Sequence, residues 1–300
     1  MIFTQFPGEI SALVAALFWA IASVIYANVG TQIPPLGLNL IKGGIAIGLL
    51  LLTITLQSGG ELPEFSPWVF GLLPLSGIIG IGIGDTAFFT TLNCLGPRRA
   101  LLLETLAPPL TALIAFIFLG ERLSPTAWGG IFLTVLGIAW VITERAAETV
   151  GMPLRLTRGL VFGSIAALSQ STGAILSHLA LTQSGISPLW STLLRIVGGV
   201  GVLVLALPIQ RLSPAALLKP LQSRRVLGII IVATFFGTYL GIWLQQTALK
   251  FTAAGIAQTL TSTSPLFVLP IAIAMGDRVS WRAILGALVA IFGVAMLFLA

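Results

Sequence analysis

The amino-acid sequence predicts an all-α integral membrane protein whose ten transmembrane helices form two inverted five-helix repeats around a central cavity. Three observations predict it: a very apolar composition, apolar runs long enough to cross a bilayer, and an internal repeat. Of the 300 residues, 57% are hydrophobic and only 8% are charged. A water-exposed surface cannot be built from so few charges. The bilayer is therefore the expected solvent.

The apolar runs are each about 20 residues long, the length that a helix needs to cross the hydrocarbon core. Polar, glycine and proline residues separate them. The predicted spans are residues 9–28, 36–57, 67–93, 99–119, 126–143, 159–181, 189–210, 225–249, 253–275 and 281–299. The connections are short except the central one, which we interpret as a linker between two halves.

The basic residues predict the orientation of the chain, because Lys and Arg accumulate in cytoplasmic loops. The side that holds both termini has Arg122 and Lys250 in its loops. The other side has Arg98, Arg99, Arg145, Arg155, Arg158, Arg211, Lys219, Arg224, Arg225, Arg278 and Arg282. This bias predicts an inner-membrane protein with both termini outside the cytoplasm.

The two halves are related in sequence. An offset of 156 residues aligns Pro109 with Pro265, Gly120 with Gly276, Glu121 with Asp277, Arg122 with Arg278, Ser124 with Ser280 and Gly137 with Gly293. We predict a first repeat at 1–145, a linker loop at 146–158 and a second repeat at 159–300. Because each repeat has five spans, an odd number, the two must insert with opposite orientation, as in many secondary transporters.

These motifs resemble a known family. The segment 120–124, Gly-Glu-Arg-Leu-Ser, its counterpart at 276–280, and Ala-Ala-Leu-Phe-Trp at 15–19 are similar to the EamA proteins of the drug/metabolite transporter superfamily. The resemblance implies a ten-helix carrier, often an exporter, that moves small metabolites such as amino acids by alternating access. EamA proteins are often described with cytoplasmic termini, and the charge bias of this chain departs from that pattern.

Four ionisable residues lie well inside spans: Lys42, Asp85, Glu104 and Arg195. Such residues usually face a cavity or pair with one another, since a charge in hydrocarbon is costly. We expect Lys42, Asp85 and Glu104 to lie at similar depths. Two interpretations remain open: Asp85 or Glu104 exchanges a proton during transport, or the three form a structural charge cluster.

Arg195 occupies the repeat position of Lys42, but Gly241 and Leu260 stand where Asp85 and Glu104 would be repeated. A guanidinium without acidic partners can bind a carboxylate or phosphate group of a substrate. The alternative is that Arg195 extends to the interface or caps backbone carbonyls.

Prolines at matching positions interrupt the fourth and ninth spans. Pro108, Pro109 and Pro265 each remove a helical hydrogen bond, which frees a carbonyl at membrane depth. They predict a hinge or binding site at these points, or else simple packing kinks.

Further polar and aromatic residues are candidates to line the cavity. The predicted substrate-binding set is Trp19, Arg195, Gln170, Tyr239, Trp243, Gln246 and Gln258, with Gln245, Thr259 and Thr261 as further candidates. Each could instead make a hydrogen bond between helices. We interpret His178, near the outer end of the sixth span, as an interface residue rather than a proton carrier.

Several classes of function are disfavoured. One cysteine, Cys94, and one histidine, His178, cannot form a Cys/His metal site, and no nucleotide-binding motif occurs, so we expect neither metal nor cofactor. No dense basic stripe indicates nucleic acid. The expected partners are the bilayer, a small-molecule substrate and protons, and we expect a monomer. The alternatives are a channel or uncoupled facilitator and, less favoured, an intramembrane protease with Asp85 opposite Glu104.

Overall fold

The computed structural model describes residues 5–27, 35–58, 66–145, 155–207, 222–274 and 279–299. These residues contain no strand, and ten of their helices are long and apolar enough to cross a membrane. We number them α1 Pro7–Ala27, α2 Pro35–Ser58, α3 Pro67–Leu95, α4 Arg99–Leu119, α5 Pro125–Arg145, α6 Leu156–Gln183, α7 Pro188–Ala206, α8 Arg224–Phe251, α9 Ala254–Ala274 and α10 Trp281–Phe298. The prediction of an all-α membrane fold with ten spans is confirmed.

Parts of the predicted organisation lie outside the described residues. They include most of the linker, 146–154, the loop at 208–221, and the segment 275–278 that carries the second copy of the Gly-Glu-Arg motif.

Local sequence explains where the helices begin. Several have proline in the first turn, where the missing N–H would have no helical partner. Others begin after a serine whose hydroxyl accepts a hydrogen bond from the backbone N–H of the residue three positions later. This capping occurs at Ser187 before α7, Ser223 before α8 and Ser280 before α10.

Four of the spans depart from regular α-helix near their middle. In α4 the helix stops at Glu104 and resumes at Ala107, and in α9 it stops at Thr261 and resumes at Ser264. In α3 and α8 the chain passes through π-helix at Ile78–Asp85 and Phe235–Leu240. These four irregular segments form two pairs at nearly equivalent repeat positions, and a fifth, the π-helical segment Ala115–Leu119, ends α4.

Helices of the two halves pack against one another in a paired pattern. Helix α1 packs on α8 and α3 on α6, while α2 packs on α7, α4 on α9 and α5 on α10. Two repeats related by a two-fold axis would make these contacts. At the α5–α10 contact the Thr134 hydroxyl donates to the Ala290 carbonyl at 3.5 Å, and these residues are one repeat offset apart.

The bundle has two ends. We call the end where α1 begins and α10 finishes the terminal end, and the end where α5 finishes and α6 begins the linker end. At the terminal end, small and branched apolar residues form the largest buried cluster of the protein, including Ala112, Leu181, Leu249, Ala257 and Leu260. These side chains are 0–1% exposed. The terminal end is therefore tightly packed.

Candidate functional site

A cavity of about 450 Å³ lies inside the bundle. Its lining residues come from every described span except α10. In α1 they lie within about three turns of its end and in α2 near the start, so the cavity lies toward the linker end, while Arg195, Gln245 and Gln258 extend its wall into the terminal-end half. The apolar cluster closes it from the terminal end.

All four intramembrane ionisable residues line this one cavity. Lys42 reaches it from α2, Asp85 from α3, Glu104 from α4 and Arg195 from α7. Asp85 interacts electrostatically with the other three. None of the four forms an ion pair within 4.0 Å with another described residue. The structure thus groups the charges without neutralising them by direct contact.

Asp85 is oriented by the irregular part of α3. It is the last residue of the π-helical segment Ile78–Asp85. Segments of this kind occur frequently at functional sites. The Gln170 amide Nε2 donates to Asp85 Oδ1 at 3.3 Å and to the Gly80 carbonyl at 3.4 Å. Asp85 therefore has an amide partner from the second half and remains half-buried in the cavity wall.

Arg195 lies deeper and is 2% exposed. Its Nη1 donates to Ser177 Oγ at 2.8 Å and to the Gly173 carbonyl at 3.5 Å. Gly80 makes room for the guanidinium, since a Cβ at Gly80 would lie 2.9 Å from Nη2. The Arg195 side chain does not extend to the membrane interface, and it caps a carbonyl within the protein.

Several of the predicted substrate-binding residues line the cavity. They are Trp19, Arg195, Gln170 and Gln258 from the main set, with Gln245 and Thr261 from the further candidates. Trp19 is held in place by a hydrogen bond from its Nε1 to the Gly237 carbonyl at 2.8 Å. Gly241 leaves space for the indole, because a Cβ there would lie 2.6 Å from Nε1.

Three residues of the main set lie elsewhere, as does the further candidate Thr259, which is 0% exposed and donates to the Gly255 carbonyl at 2.7 Å. Tyr239 and Trp243 pack in an apolar cluster with α2 and α7, and the Tyr239 hydroxyl bonds to Thr53 Oγ1 at 2.7 Å. Gln246 is 0% exposed and accepts a hydrogen bond from Ser191 at 2.9 Å. The three follow one another at helical spacing on one face of α8. The neighbouring face of α8, with Thr238, Ile242 and Gln245, lines the cavity instead.

The predicted hinge prolines coincide with the helix breaks. The break in α4 precedes Pro108 and Pro109, and the break in α9 precedes Pro265. Pro265 lines the cavity, as do Thr105 and Ala107 at the break in α4. The structure therefore has irregular backbone next to the cavity in both halves.

The sequence reasoning missed several polar lining residues, and Asn39 and Tyr26 illustrate why. Asn39 is 5% exposed and lies one helical turn before Lys42 on α2. Its three-residue spacing from Lys42 was the signal that could have identified it. Tyr26 lies at the end of α1, with its ring centroid 5.8 Å from Lys42 Nζ. A lone tyrosine at a span end looks like an interface anchor, so only the packing identifies it.

The interpretation of His178 as an interface residue is wrong. Its side chain is 9% exposed and its Nε2 lies 2.6 Å from Glu121 Oε1. Glu121 comes from the Gly-Glu-Arg segment after α4, more than fifty residues earlier in the chain. Nothing in the local pattern around His178 indicates this partner.

Comparisons with known proteins agree with the fold. The model of the EamA-like transporter family matches residues 6–143 and 157–299. An uncharacterized transporter of Bacillus subtilis (strain 168), YyaM, is 25% identical over 253 residues, which cover 84% of this chain and 80% of that protein. Protein LicB of Haemophilus influenzae is 27% identical over 202 residues, covering 66% of each chain.

A solved crystal structure also superposes on the whole chain. Its TM-score is 0.78 at 15% identity, and the match covers 98% of this chain and 97% of the other. At this identity the likeness concerns the fold alone. The double match of the family model, once in each five-helix half, shows that the chain belongs to the EamA-like transporter family.

Proposed function

We propose that this protein is a secondary transporter that exports small metabolites such as amino acids by alternating access, coupled to proton exchange at Asp85 and Glu104. The observation that carries the proposal is the grouping of Lys42, Asp85, Glu104 and Arg195 around one cavity. Ionisable groups at membrane depth typically mark substrate or proton pathways. Membership of a transporter family supports the coarser statement that the chain is a membrane transporter.

The cavity lining favours a small substrate that carries both charges. Lys42 and Arg195 offer positive charge, Asp85 and Glu104 offer carboxylates, and Gln170, Gln245 and Gln258 offer amides. The volume of about 450 Å³ lies within the range of small-molecule sites, roughly 300–1,000 Å³. An α-amino acid matches this combination of charges.

The carboxylates support proton coupling through their position. Asp85 and Glu104 line the same cavity and interact electrostatically. Two neighbouring carboxylates cannot both ionise without cost, so their proton content responds to a substrate that brings charge into the cavity. Exchange of a proton for a substrate follows from that competition.

The test is efflux from liposomes that contain the purified protein and a mixture of radiolabelled amino acids, with and without a pH gradient. We expect saturable efflux that the gradient accelerates. Asp85→Asn with Glu104→Gln should reduce the rate to that seen without a gradient. The matched variants Asp85→Glu and Glu104→Asp keep titratable groups, and each should retain gradient stimulation.

Other outcomes identify the alternatives. Saturable efflux that ignores the gradient would indicate an uncoupled facilitator, and conductance in planar bilayers would indicate a channel. Either result would contradict the proposed coupling.

We also propose that both termini lie outside the cytoplasm, since the basic residues concentrate at the linker end. A C-terminal reporter that is active only in the cytoplasm should remain inactive in intact cells. An active reporter would reverse the orientation.

A further inference from the structure

The side chains of Glu121 and His178 are in contact at the terminal end, and neither lines the cavity. Glu121 Oε1 lies 2.6 Å from His178 Nε2, and the other imidazole nitrogen, Nδ1, lies 2.5 Å from the Leu249 carbonyl oxygen. Glu121 Oε2 accepts a hydrogen bond from the Ala254 amide at 3.3 Å, at the first residue of α9. Both side chains are largely buried, with 19% of Glu121 and 9% of His178 exposed.

These contacts determine how many protons the pair holds. Nδ1 faces a carbonyl oxygen, which only accepts, so Nδ1 carries a hydrogen. Nε2 faces a carboxylate oxygen, and a hydrogen must lie between these two atoms, on one or the other. The pair is therefore either imidazolium with carboxylate or neutral imidazole with carboxylic acid. Both forms contain one proton more than a neutral histidine beside an ionised glutamate.

Loss of that proton would break the arrangement. A neutral imidazole has one N–H and can satisfy either Leu249 or Glu121 but not both. The remaining nitrogen lone pair would then face an acceptor, in a place that is mostly shielded from water. An unsatisfied contact of this kind opposes the packed state.

The pair joins elements that alternating access must separate. Glu121 follows α4 of the first half, whereas His178, Leu249 and Ala254 belong to α6, α8 and α9 of the second half. The contacts lie at the outer edge of the apolar cluster that closes the cavity from the terminal end; Leu249 and Ala254 belong to that cluster. To expose the cavity at the terminal end, α4 must move away from these helices.

We propose that Glu121 and His178 form a proton-binding latch: the bound proton holds the terminal end closed, and its release allows that end to open. The ligand of this site is a proton. The proposal rests on alternating access from the proposed function, but it does not involve Asp85 or Glu104. By linkage, whatever stabilises the closed terminal end also raises proton affinity at the latch.

The other charged groups near the latch have separate contacts. Glu9 accepts a hydrogen bond from the Thr252 hydroxyl at 2.7 Å, and Lys250 Nζ donates to the Ile186 carbonyl at 2.7 Å. Arg122 is exposed. None of the three forms an ion pair within 4.0 Å with Glu121 or His178. Arg195, in the terminal-end half of α7, donates from Nη1 to the hydroxyl of Ser177, the residue before His178, at 2.8 Å, and forms no ion pair within 4.0 Å with Glu121. Within the described residues, the terminal-end halves of α3 and α9 contain no charged side chain.

One substitution keeps the hydrogen bonds of Glu121 and His178 but removes the extra proton that the pair holds. In Glu121→Gln, the amide nitrogen can donate to Nε2 of a neutral imidazole while Nδ1 still donates to Leu249. The amide oxygen can still accept from Ala254. This variant should keep the latch closed at any pH, whereas His178→Ala should leave it open at any pH.

The experiment measures access to the terminal end directly. Ala257 is 1% exposed in the apolar cluster, so Ala257→Cys in a Cys94→Ser background reports opening. The full chain in lipid nanodiscs is labelled with a polar maleimide at about pH 5 and about pH 8, on either side of the histidine range. Labelling is divided by that of Leu299→Cys, at an 83% exposed position, to remove the effect of pH on thiol reactivity.

We expect labelling with the native pair to rise several-fold between the two pH values. Glu121→Gln should give low labelling at both, and His178→Ala high labelling at both. Equal labelling of the native pair at both pH values would overturn the latch, as would pH-dependent labelling in Glu121→Gln. If His178→Ala fails to fold, the comparison of the native pair with Glu121→Gln still decides the question.

The assay needs no substrate, so the two proposals can fail separately. Loss of gradient-driven efflux in the Asp85 and Glu104 variants says nothing about labelling at Ala257. Equal labelling at Ala257→Cys at both pH values, in a protein that still shows gradient-driven efflux, would contradict the latch and leave the proposed function standing.

Discussion

The terminal end and the linker end of the bundle are built from different residues although the chain repeats itself. The terminal end is an apolar cluster of mostly small residues, with the contact between Glu121 and His178 at its edge. Toward the linker end lies a cavity lined by four ionisable side chains that have no direct ion pair among the described residues. The difference shows that the two repeats share a backbone arrangement, while individual side chains make one end an apolar core and give the other a cavity lined by ionisable groups.

The same asymmetry appears between equivalent positions of the two repeats. Asp85 and Glu104 in the first half correspond to Gly241 and Leu260 in the second. Leu260 is fully buried in the terminal cluster, while Glu104 lines the cavity. Because α4 begins at the linker end and α9 at the terminal end, these two equivalent positions lie toward opposite ends of the bundle, and their different side chains suit one to the cavity and the other to the apolar cluster.

The largest effect on stability is expected where α3 crosses α7. Gly77 of α3 touches α7 so closely that a Cβ would lie 1.8 Å from the Arg195 carbonyl oxygen. Gly77→Ala must push the helices apart and should lower the free energy of unfolding by about 3 kcal/mol, the upper range for overpacking. Thermal unfolding in detergent measures this loss.

Gly71→Ala is the matched control for that crossing. It lies in the same segment of α3, where a Cβ would meet nothing within 4 Å. We expect a change within about 0.5 kcal/mol, as is usual for surface substitutions. Similar unfolding temperatures for the two variants would show that the crossing is not as tight as the structure has it.

A smaller effect is expected next to the latch. Gly120 has φ 69°, and its Cβ position is open. Gly120→Ala should therefore cost about 1 kcal/mol through backbone strain alone. The proposed latch predicts that this strain displaces Glu121, so labelling at Ala257→Cys should rise above that of the native pair at the lower of the two pH values.

Gly185→Ala is the control at the same end of the molecule. Gly185 has neither a positive φ nor a neighbour within 4 Å of a Cβ. Its labelling and unfolding temperature should match those of the native chain. If Gly120→Ala behaves in the same way, the position of Glu121 does not depend on the turn at Gly120.

Much of the fold could be predicted because bilayer insertion depends on local composition. Each predicted span overlaps a helix of the structure, and the breaks in α4 and α9 lie next to Pro108 and Pro265. The sequence also predicted that Lys42, Asp85 and Glu104 lie at similar depths. Depth follows from counting residues along a helix of known rise, so it needs no packing information.

The direction in which individual side chains point from their helices could not be predicted in the same way. Tyr239 and Trp243 turn toward α2 and α7, while Gln245 turns toward the cavity. The π-helical segment at Phe235–Leu240 changes the rotation of the residues around it. Such segments have no reliable signature in a single sequence.

The sequence by itself determined that the chain crosses a bilayer ten times, that two related halves form it, and that charges lie at membrane depth. These properties follow from hydropathy and length, which act locally. Only the tertiary structure decided that the charges share one cavity and that Glu121 meets His178. Such contacts depend on how helices distant in the chain rotate and pack against one another, and no local pattern specifies that.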